Sequence, residues 1–337
     1  MDSITATTCT AEQRIVIESF LGGGDHRTLA DDVLDGLTRP FKELPPKHFY
    51  DAVGAELFDQ ICDLPEYYPT RCERAILEER SAEIVARTGA AELVELGSGT
   101  AAKTRLLLAA MHEAGTLDRY VPIDVTESMV RASAQRLVEE FDGLRVHGIV
   151  GDFERHLGHV PAPVADRPRI VAFLGGTIGN FTPGSRRRYL RTLSALLGPD
   201  DFLLFGTDLV KDPAIIEAAY DDAAGVTAAF NRNVLTVLNR ELDANFEPDA
   251  YDHVAFFDRD REWIEMRLRA RRPQRVLVGQ LGLRLTFAAG EELRTEISAK
   301  FTPERIRGDL AAAGMELVDS LTDQDGLFAL NLARVRD

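Results

Sequence analysis

At 337 residues and 45% hydrophobic content, the chain is long for one compact domain and comfortable for two lobes sharing a cleft. Its formal net charge of −16 argues against a general nucleic-acid surface, because neutralising phosphates needs an excess of Lys and Arg. Three cysteines (Cys9, Cys62, Cys72) without C-x-x-C spacing, a polar start and no apolar run near the ~20 residues of a membrane helix predict a soluble, cytoplasmic protein in a reducing compartment.

In chain order, residues 1–25 end in Gly22-Gly23-Gly24 and read as a loosely held N-terminal arm. A short helix is expected over Leu29–Leu37 and a second over Phe49–Leu64, where Val53, Leu57, Phe58 and Ile61 fall at helical spacing. Pro65 stops that helix, and Thr70 is expected to open a longer one over 71–87 with Glu73 at the capping-box offset. Strand 92–97, helix 101–114, strand 119–124, helix 127–141 and strands 145–151 and 168–174 follow, then helix 184–197 and strand 201–207. That alternation predicts βαβ units and a mostly parallel α/β sheet. Segment 212–240 reads as helical. From 251 the chain turns to paired strand-like runs of antiparallel character, and helix 304–314 with strands 315–320 and 327–335 returns to the first sheet. The two basic runs, Arg186–Arg188 and Arg269–Arg275, read as solvated charge.

Three successive strand ends carry groups suited to adenosine. Val94-Glu95-Leu96-Gly97-Ser98-Gly99 is an apolar run ending in an acid and a Gly-x-Gly turn, which lets a backbone approach a nucleoside. Asp124 ends the next strand, where a carboxylate can accept both ribose hydroxyls, and Asp152-Phe153 ends the third, where an acid can take an exocyclic amine. The pattern predicts an S-adenosylmethionine site on a Rossmann-like sheet. A dinucleotide site is the alternative, since Gly97, Gly99 and Ala102 also satisfy G-x-G-x-x-A, and an NAD-dependent oxidoreductase stays open on this turn alone. Glu95 before the turn and the acid–aromatic pair at the third strand favour the methyl donor. His156 and His159 have no Cys partner, so no metal is expected.

Two further runs can carry chemistry. Phe173-Leu-Gly-Gly-Thr177-Ile-Gly-Asn180-Phe181 ends the fourth strand at the sheet's carboxyl edge, where the Asn180 amide can donate and accept, although a turn-capping Asn explains it equally. In Arg294-Thr-Glu296-Ile-Ser298-Ala-Lys300-Phe301 a strand would project Glu296 and Ser298 from one face, a pair suited to a ring with two nitrogens, although by itself the run is better explained as an exposed strand face with polar alternation. Tyr50, Tyr67 and Tyr220 are candidates for holding an amine, because an aromatic face also tolerates a quaternary ammonium.

Tyr67-Tyr68-Pro69-Thr70, the Glu95–Thr104 turn, Pro122-Ile-Asp124-Val, Gly175–Phe181 and Thr295–Phe301 together resemble the histidine-specific Nα-methyltransferases of ergothioneine biosynthesis, over nearly the whole chain after about residue 25. The resemblance implies an enzyme that trimethylates the α-amine of L-histidine to hercynine with S-adenosylmethionine as co-substrate. It implies a class I methyltransferase sheet with a second α+β lobe, divided as 72–209 plus 300–337 for the donor and 26–71 plus 210–299 for the amino acid. Gly97, Lys103, Asp124, Asp152 and Phe153 would hold the donor, with Lys103 reaching its carboxylate. Tyr67 and Asn180 would be the catalytic pair at the amine, with Tyr220 at the amino acid's polar end. Glu296 and Ser298 would clasp the imidazole, Tyr50 would stand nearby, and Met266 and Ile297 would line the pocket. Related enzymes act on other amino acids such as tryptophan derivatives. The partners expected are the small-molecule substrate alone, without nucleic acid or membrane, and the chain is expected to be a monomer.

Overall fold

The computed structural model describes residues 11–21, 28–164 and 167–336. In chain order, β1 (Ile15–Ser19), α1 (Leu29–Gly36), β2 (Lys42–Glu43), α2 (Ala52–Asp63) and α3 (Pro69–Thr88) come first. The alternating region follows as β3 (Glu92–Leu96), α4 (Thr104–Glu113), β4 (Arg119–Asp124), α5 (Glu127–Glu140), β5 (Arg145–Val150), β6 (Arg169–Phe173), α6 (Pro183–Leu196) and β7 (Phe202–Asp208). Next are α7 (Pro213–Tyr220), α8 (Val226–Leu242), β8 (Tyr251–Asp258), β9 (Trp263–Ala270), β10 (Gln274–Val278), β11 (Leu283–Phe287) and β12 (Glu292–Ala299). The chain finishes with α9 (Pro303–Ala312), β13 (Met315–Thr322) and β14 (Phe328–Val335).

The main sheet has eight strands in the order β1-β5-β4-β3-β6-β7-β14-β13. Strands β1 and β3 to β7 pair in parallel, while β14 runs antiparallel to β7 and to β13. Every residue of β3 and β6 is buried, as parallel strands covered by helices on both faces require. From β3 the order steps to β4 and β5 on one side and to β6 and β7 on the other. The crevice at the carboxyl ends of β3 and β6 is therefore a topological switch point, where ligands of open α/β sheets bind.

The second region is a four-stranded sheet, β2-β12-β9-β8, with the β10–β11 hairpin beside it. Its core joins Phe49, Ile61, Tyr220, Phe230, Met266 and Leu293, drawn from α2, α7, α8 and the sheet. The main sheet is filled on its two faces by separate clusters around Val94, Phe173 and Phe205 and around Leu93, Leu107 and Leu204. Among the described residues no helix is long and apolar enough to cross a membrane.

Two local expectations fail for physical reasons. Ile15–Ser19, expected inside a loose arm, pairs with Val146–Val150 as an edge strand, favoured by its β-branched Ile-Val-Ile run. Arg14 fixes it by donating to the carbonyls of Val138, Phe141 and Leu144 at the end of α5, where unpaired carbonyls and the helix dipole favour a cation. Residues 1–10 and 22–25 of the expected arm, and Cys9, lie outside the described residues. Helix α3 opens at Pro69 and not Thr70. Pro69 takes the first helical position, Tyr68 caps without a side-chain bond, and Glu73 turns into the interior instead of closing a capping box.

Candidate active site

The turn after β3 is a left-handed passage with φ of +72° at Gly97, +49° at Gly99 and +55° at Ala101, so α4 starts only at Thr104, later than the expected 101. The glycines take these angles without steric cost. Asp124, at the end of β4, is fixed from both sides by backbone donors: Gly99 N–H reaches one carboxylate oxygen at 2.9 Å and Thr126 N–H the other at 2.9 Å. The Phe153 ring stands over Gly97, 3.5 Å from where a Cβ would be. Asp152 accepts from Glu154 N–H at 2.8 Å, and its own N–H donates to His156 Nδ1 at 2.9 Å. His156 is thus a buried support of the loop, and no group of three or more potential metal ligands occurs among the described residues.

Glu95 lies beneath the turn, where the hydroxyls of Thr104 and Tyr120 both donate to its carboxylate. Burial pushes its pKa up to about 7 against those two bonds. It braces β3 against α4 and β4 and does not face the crevice.

Lys103 projects to the end of β6. Its ammonium pairs with Glu73, fully buried on α3, and Glu73 also accepts the Gly175 N–H at 2.8 and 2.9 Å. One carboxylate therefore ties the Lys103 cation to the loop that leads to Asn180. The capping-box reading hid this role, and the visible cue is that Glu73 sits on the α3 face shared with buried Ile76 and Leu77.

The Gly175–Phe181 run forms a left-handed turn at Gly175 (φ +79°) and Gly176 (φ +68°), then a 3-10 turn over Thr177–Asn180. This turn packs directly on β12. A Cβ on Gly179 would come within 3.0 Å of the Ala299 carbonyl oxygen and 3.2 Å of Ser298 Oγ, so glycine is what allows the contact. Asn180, Thr182, Glu296 and Ile297 line one cleft of about 340 Å³, together with Asp32 and Pro45 from the N-terminal segment.

On β12 a bulge separates Arg294 from Glu296, after which Glu296 faces Met266 and Ser298 faces Ile264 on β9. Thr295 turns away and donates to Asn231 Oδ1 at 2.6 Å and the Met266 carbonyl at 3.1 Å. Ile297 packs toward the main sheet among Phe173 and Phe181. Burial drives the Glu296 carboxyl up to about 7, opposed by the nearby Lys300 charge. Lys300, 0% exposed, donates to Ser298 Oγ at 3.0 Å and Tyr220 Oη at 3.1 Å and pairs with Asp208 at 2.8 Å. Asp208 also accepts from Tyr68 at 2.9 and 3.0 Å and pairs with Lys211.

The tyrosines form an aromatic wall. Tyr67 and Tyr220 meet edge to face at 6.3 Å, Phe58 stands 6.1 Å from Tyr67, and Tyr50 lies 5.4 Å from Phe58 and 5.7 Å from Phe230. Burial and the neighbouring Tyr220 hold the Tyr67 phenol far above its usual range, so it stays neutral at physiological pH. Tyr50 is half exposed at the rim. The residues singled out from the sequence thus form two groups, Gly97, Lys103, Asp124, Asp152 and Phe153 at the turn and Tyr50, Tyr67, Asn180, Tyr220, Met266, Glu296, Ile297 and Ser298 at β12, joined by the Glu73–Gly175 link. The sequence assigns no role to Asp208 and Lys300, although Asp208 ends the parallel strand β7 as Asp124 ends β4.

This strand order, with an acid fixed at the end of β4, defines a Rossmann-like α/β protein with its ligand crevice at the switch point. A family model described as "Histidine-specific methyltransferase, SAM-dependent" matches residues 29–335. The chain is 55% identical over 305 residues to "Histidine N-alpha-methyltransferase" of Mycolicibacterium smegmatis, covering 90% of this chain and 94% of the relative. It is 51% identical over 321 residues to the protein of the same name from Mycobacterium tuberculosis, covering 95% and 99%. It is also 30% identical over 305 residues to "Ergothioneine biosynthesis protein 1" of Neurospora crassa, covering 87% of this chain and 34% of that one. The chain belongs to the histidine-specific, S-adenosylmethionine-dependent methyltransferase family.

Proposed function

We propose that this enzyme moves three methyl groups from S-adenosylmethionine to the α-amine of L-histidine, giving hercynine for ergothioneine biosynthesis. The observation that carries the reading is the contact of Gly179 with Ala299 and Ser298, which sets the turn bearing Asn180 against β12, where Asn180 and Glu296 line one cleft. An amino acid with a polar, two-nitrogen ring has both its ends served there.

The crevice fits the donor. The left-handed turn leaves open space at Gly99 where a nucleoside edge can approach, Asp124 is held ready for ribose hydroxyls, and Asp152 with the Phe153 backbone suits adenine. Lys103 serves the donor's carboxylate. The donor supplies an electrophilic methyl carbon, and the chain's own contribution is to position the amine behind it. Tyr67 and Asn180 hold that amine: the neutral phenol and the amide oxygen accept its N–H hydrogens in the first two transfers and turn the nitrogen lone pair toward the methyl, while the dimethylated amine of the third has no N–H left and is held by packing. Each transfer releases S-adenosylhomocysteine, and one proton leaves the nitrogen to solvent before it. Tyr220 stands at the amino acid's polar end. Tyr50, Phe58 and Tyr67 offer ring faces to the quaternary product. Glu296 accepts an imidazole N–H, Ser298 serves the second ring nitrogen, and Met266 and Ile297 close the pocket. In this reading the donor domain spans 72–209 plus 300–337 and the substrate domain 26–71 plus 210–299. A monomer suffices, since one chain supplies every group, and the cytoplasm supplies both substrates.

Mass spectrometry of a reaction with S-adenosylmethionine and an equimolar panel of free amino acids tests this. Histidine gaining three methyl groups while the others stay unmodified is the expected result. Methylation of a different amino acid overturns the specificity, and donor binding without any methylated product overturns the activity.

A further inference from the structure

We propose that Lys300, anchored by Asp208, is a positioning residue that, together with Tyr220, fills the lone pairs of Ser298 Oγ and so leaves Ser298 to donate its hydroxyl hydrogen to the bound amino acid, and that the site thereby selects a ring nitrogen carrying a lone pair. The inference rests on the histidine reading above and deepens it. An ammonium has three hydrogens and no acceptor. All three of Lys300's are spent within 3.1 Å: on Asp208 at 2.8 Å, on Ser298 Oγ at 3.0 Å and on Tyr220 Oη at 3.1 Å. Lys300 takes one lone pair of each hydroxyl oxygen, and Ser298 and Tyr220 also hydrogen-bond each other. With Tyr220 donating in that bond, both lone pairs of Ser298 Oγ are filled and only its hydrogen is left for the ligand.

The geometry is held at both ends. Phe301 N–H donates to the Asp208 carbonyl at 2.8 Å and Lys300 N–H to the Glu262 carbonyl at 2.8 Å, which fixes the end of β12 against the end of β7. Asp208 keeps Tyr68 and Lys211 as further partners, so Lys300 is not its sole counter-charge. On the same face of β12, Glu296 as a carboxylate can only accept. An acceptor at Glu296 and a donor at Ser298 match the neutral imidazole, with one N–H and one bare nitrogen, and mismatch a ring with no lone-pair nitrogen. Turned the other way, Ser298 would accept as Glu296 does, and this discrimination would vanish.

The test compares wild type and Lys300→Met, in which Met keeps the aliphatic stem and leaves Asp208 paired with Lys211. Substrates are histidine and the two pyrrolylalanine isomers, each of which keeps one ring N–H and replaces the bare nitrogen with C–H. Wild type is expected to favour histidine over the better isomer by about 100-fold in kcat/KM, because the analogue strands a committed donor. In Lys300→Met the Ser298 hydroxyl is free to turn, so the preference should shrink to about tenfold or less while donor affinity holds. Equal losses on histidine and analogue, with the preference unchanged, would show a structural role alone and overturn the proposal. Asp208→Asn, which loosens the anchor at constant volume, should move the preference the same way by a smaller factor, and provides the test if Lys300→Met does not fold. Wild type that ignores histidine and methylates another amino acid would instead overturn the function proposed above.

Discussion

The two halves of the site are built differently. At the β3–α4 turn the acid proposed for the donor is held by backbone: Gly99 and Thr126 N–H groups grip Asp124, and the left-handed turn is made by residues 97 to 101. At β12 the groups proposed for the amino acid are held by side chains, with Lys300, Asp208, Lys211, Tyr68 and Tyr220 gathered from β12, β7, α7 and the segments beside them. A site made by backbone geometry keeps its shape through many side-chain changes. One made by a buried charge network keeps its shape only while every member stays paired. On the roles proposed above, the donor half is the durable one, and the ring-reading half the one that a few substitutions can retune.

The sharpest way to break that contrast is Glu296→Ala. A charge-assisted hydrogen bond to the ring is worth about 1.5–3 kcal/mol, so kcat/KM for histidine should fall on the order of 100-fold. Affinity for S-adenosylhomocysteine, measured by calorimetry, should stay within about twofold, since the turn shares no hydrogen bond with Glu296. A matching loss of donor affinity would mean that the halves are one coupled unit. Asp124→Ala should produce the mirror image at smaller size. Donor affinity should drop about tenfold for a lost carboxylate-to-hydroxyl contact, with part of the loss coming from the released Gly99 and Thr126 amides. Unchanged donor affinity there would remove Asp124 from the ribose role.

The same contrast explains what the sequence makes legible. The Rossmann-like order follows from strands and helices that alternate at short range, and the Gly97–Asp124 contact from glycines and an acid at consecutive strand ends. Glu73 looked like a helix cap because the capping-box offset is local, whereas its partners Lys103 and Gly175 lie 30 and 102 residues away. The Asp208–Lys300 pair spans 92 positions, and nothing local in either segment announces it. β1 was hidden by a polar, Thr-rich context, since a five-residue strand at a sheet edge needs little hydrophobic signal. Glu296 and Ser298 share a face because period-2 alternation continues past the bulge at Thr295, but alternation alone reads as an exposed strand face, and only the family resemblance singles the pair out.

The smallest effect on turnover should come from Glu95→Gln, and it sharpens the comparison by touching the turn from below. Glu95 has a folded-state pKa of about 7 against an ordinary 4.5. Between those values the folded protein keeps a proton that the unfolded chain has released, so its contribution to stability is present at low pH and is lost as pH rises through about 7. The loss is at most on the order of 3 kcal/mol. A glutamine does not titrate, yet its carbonyl oxygen can still accept from Thr104 or Tyr120. The variant should therefore show a flatter fall of thermal stability between pH 5 and 7, while Glu296, raised in the same direction, keeps part of the slope. Donor affinity and histidine turnover at pH 8 should move by about twofold or less, because Asp124 remains held by its two backbone donors. An unchanged stability slope would mean that Thr104 and Tyr120 offset the burial of Glu95 completely. A large loss of donor affinity would mean that the backbone turn depends on the buried carboxylate beneath it, and the division between a backbone-held half and a side-chain-held half would fail.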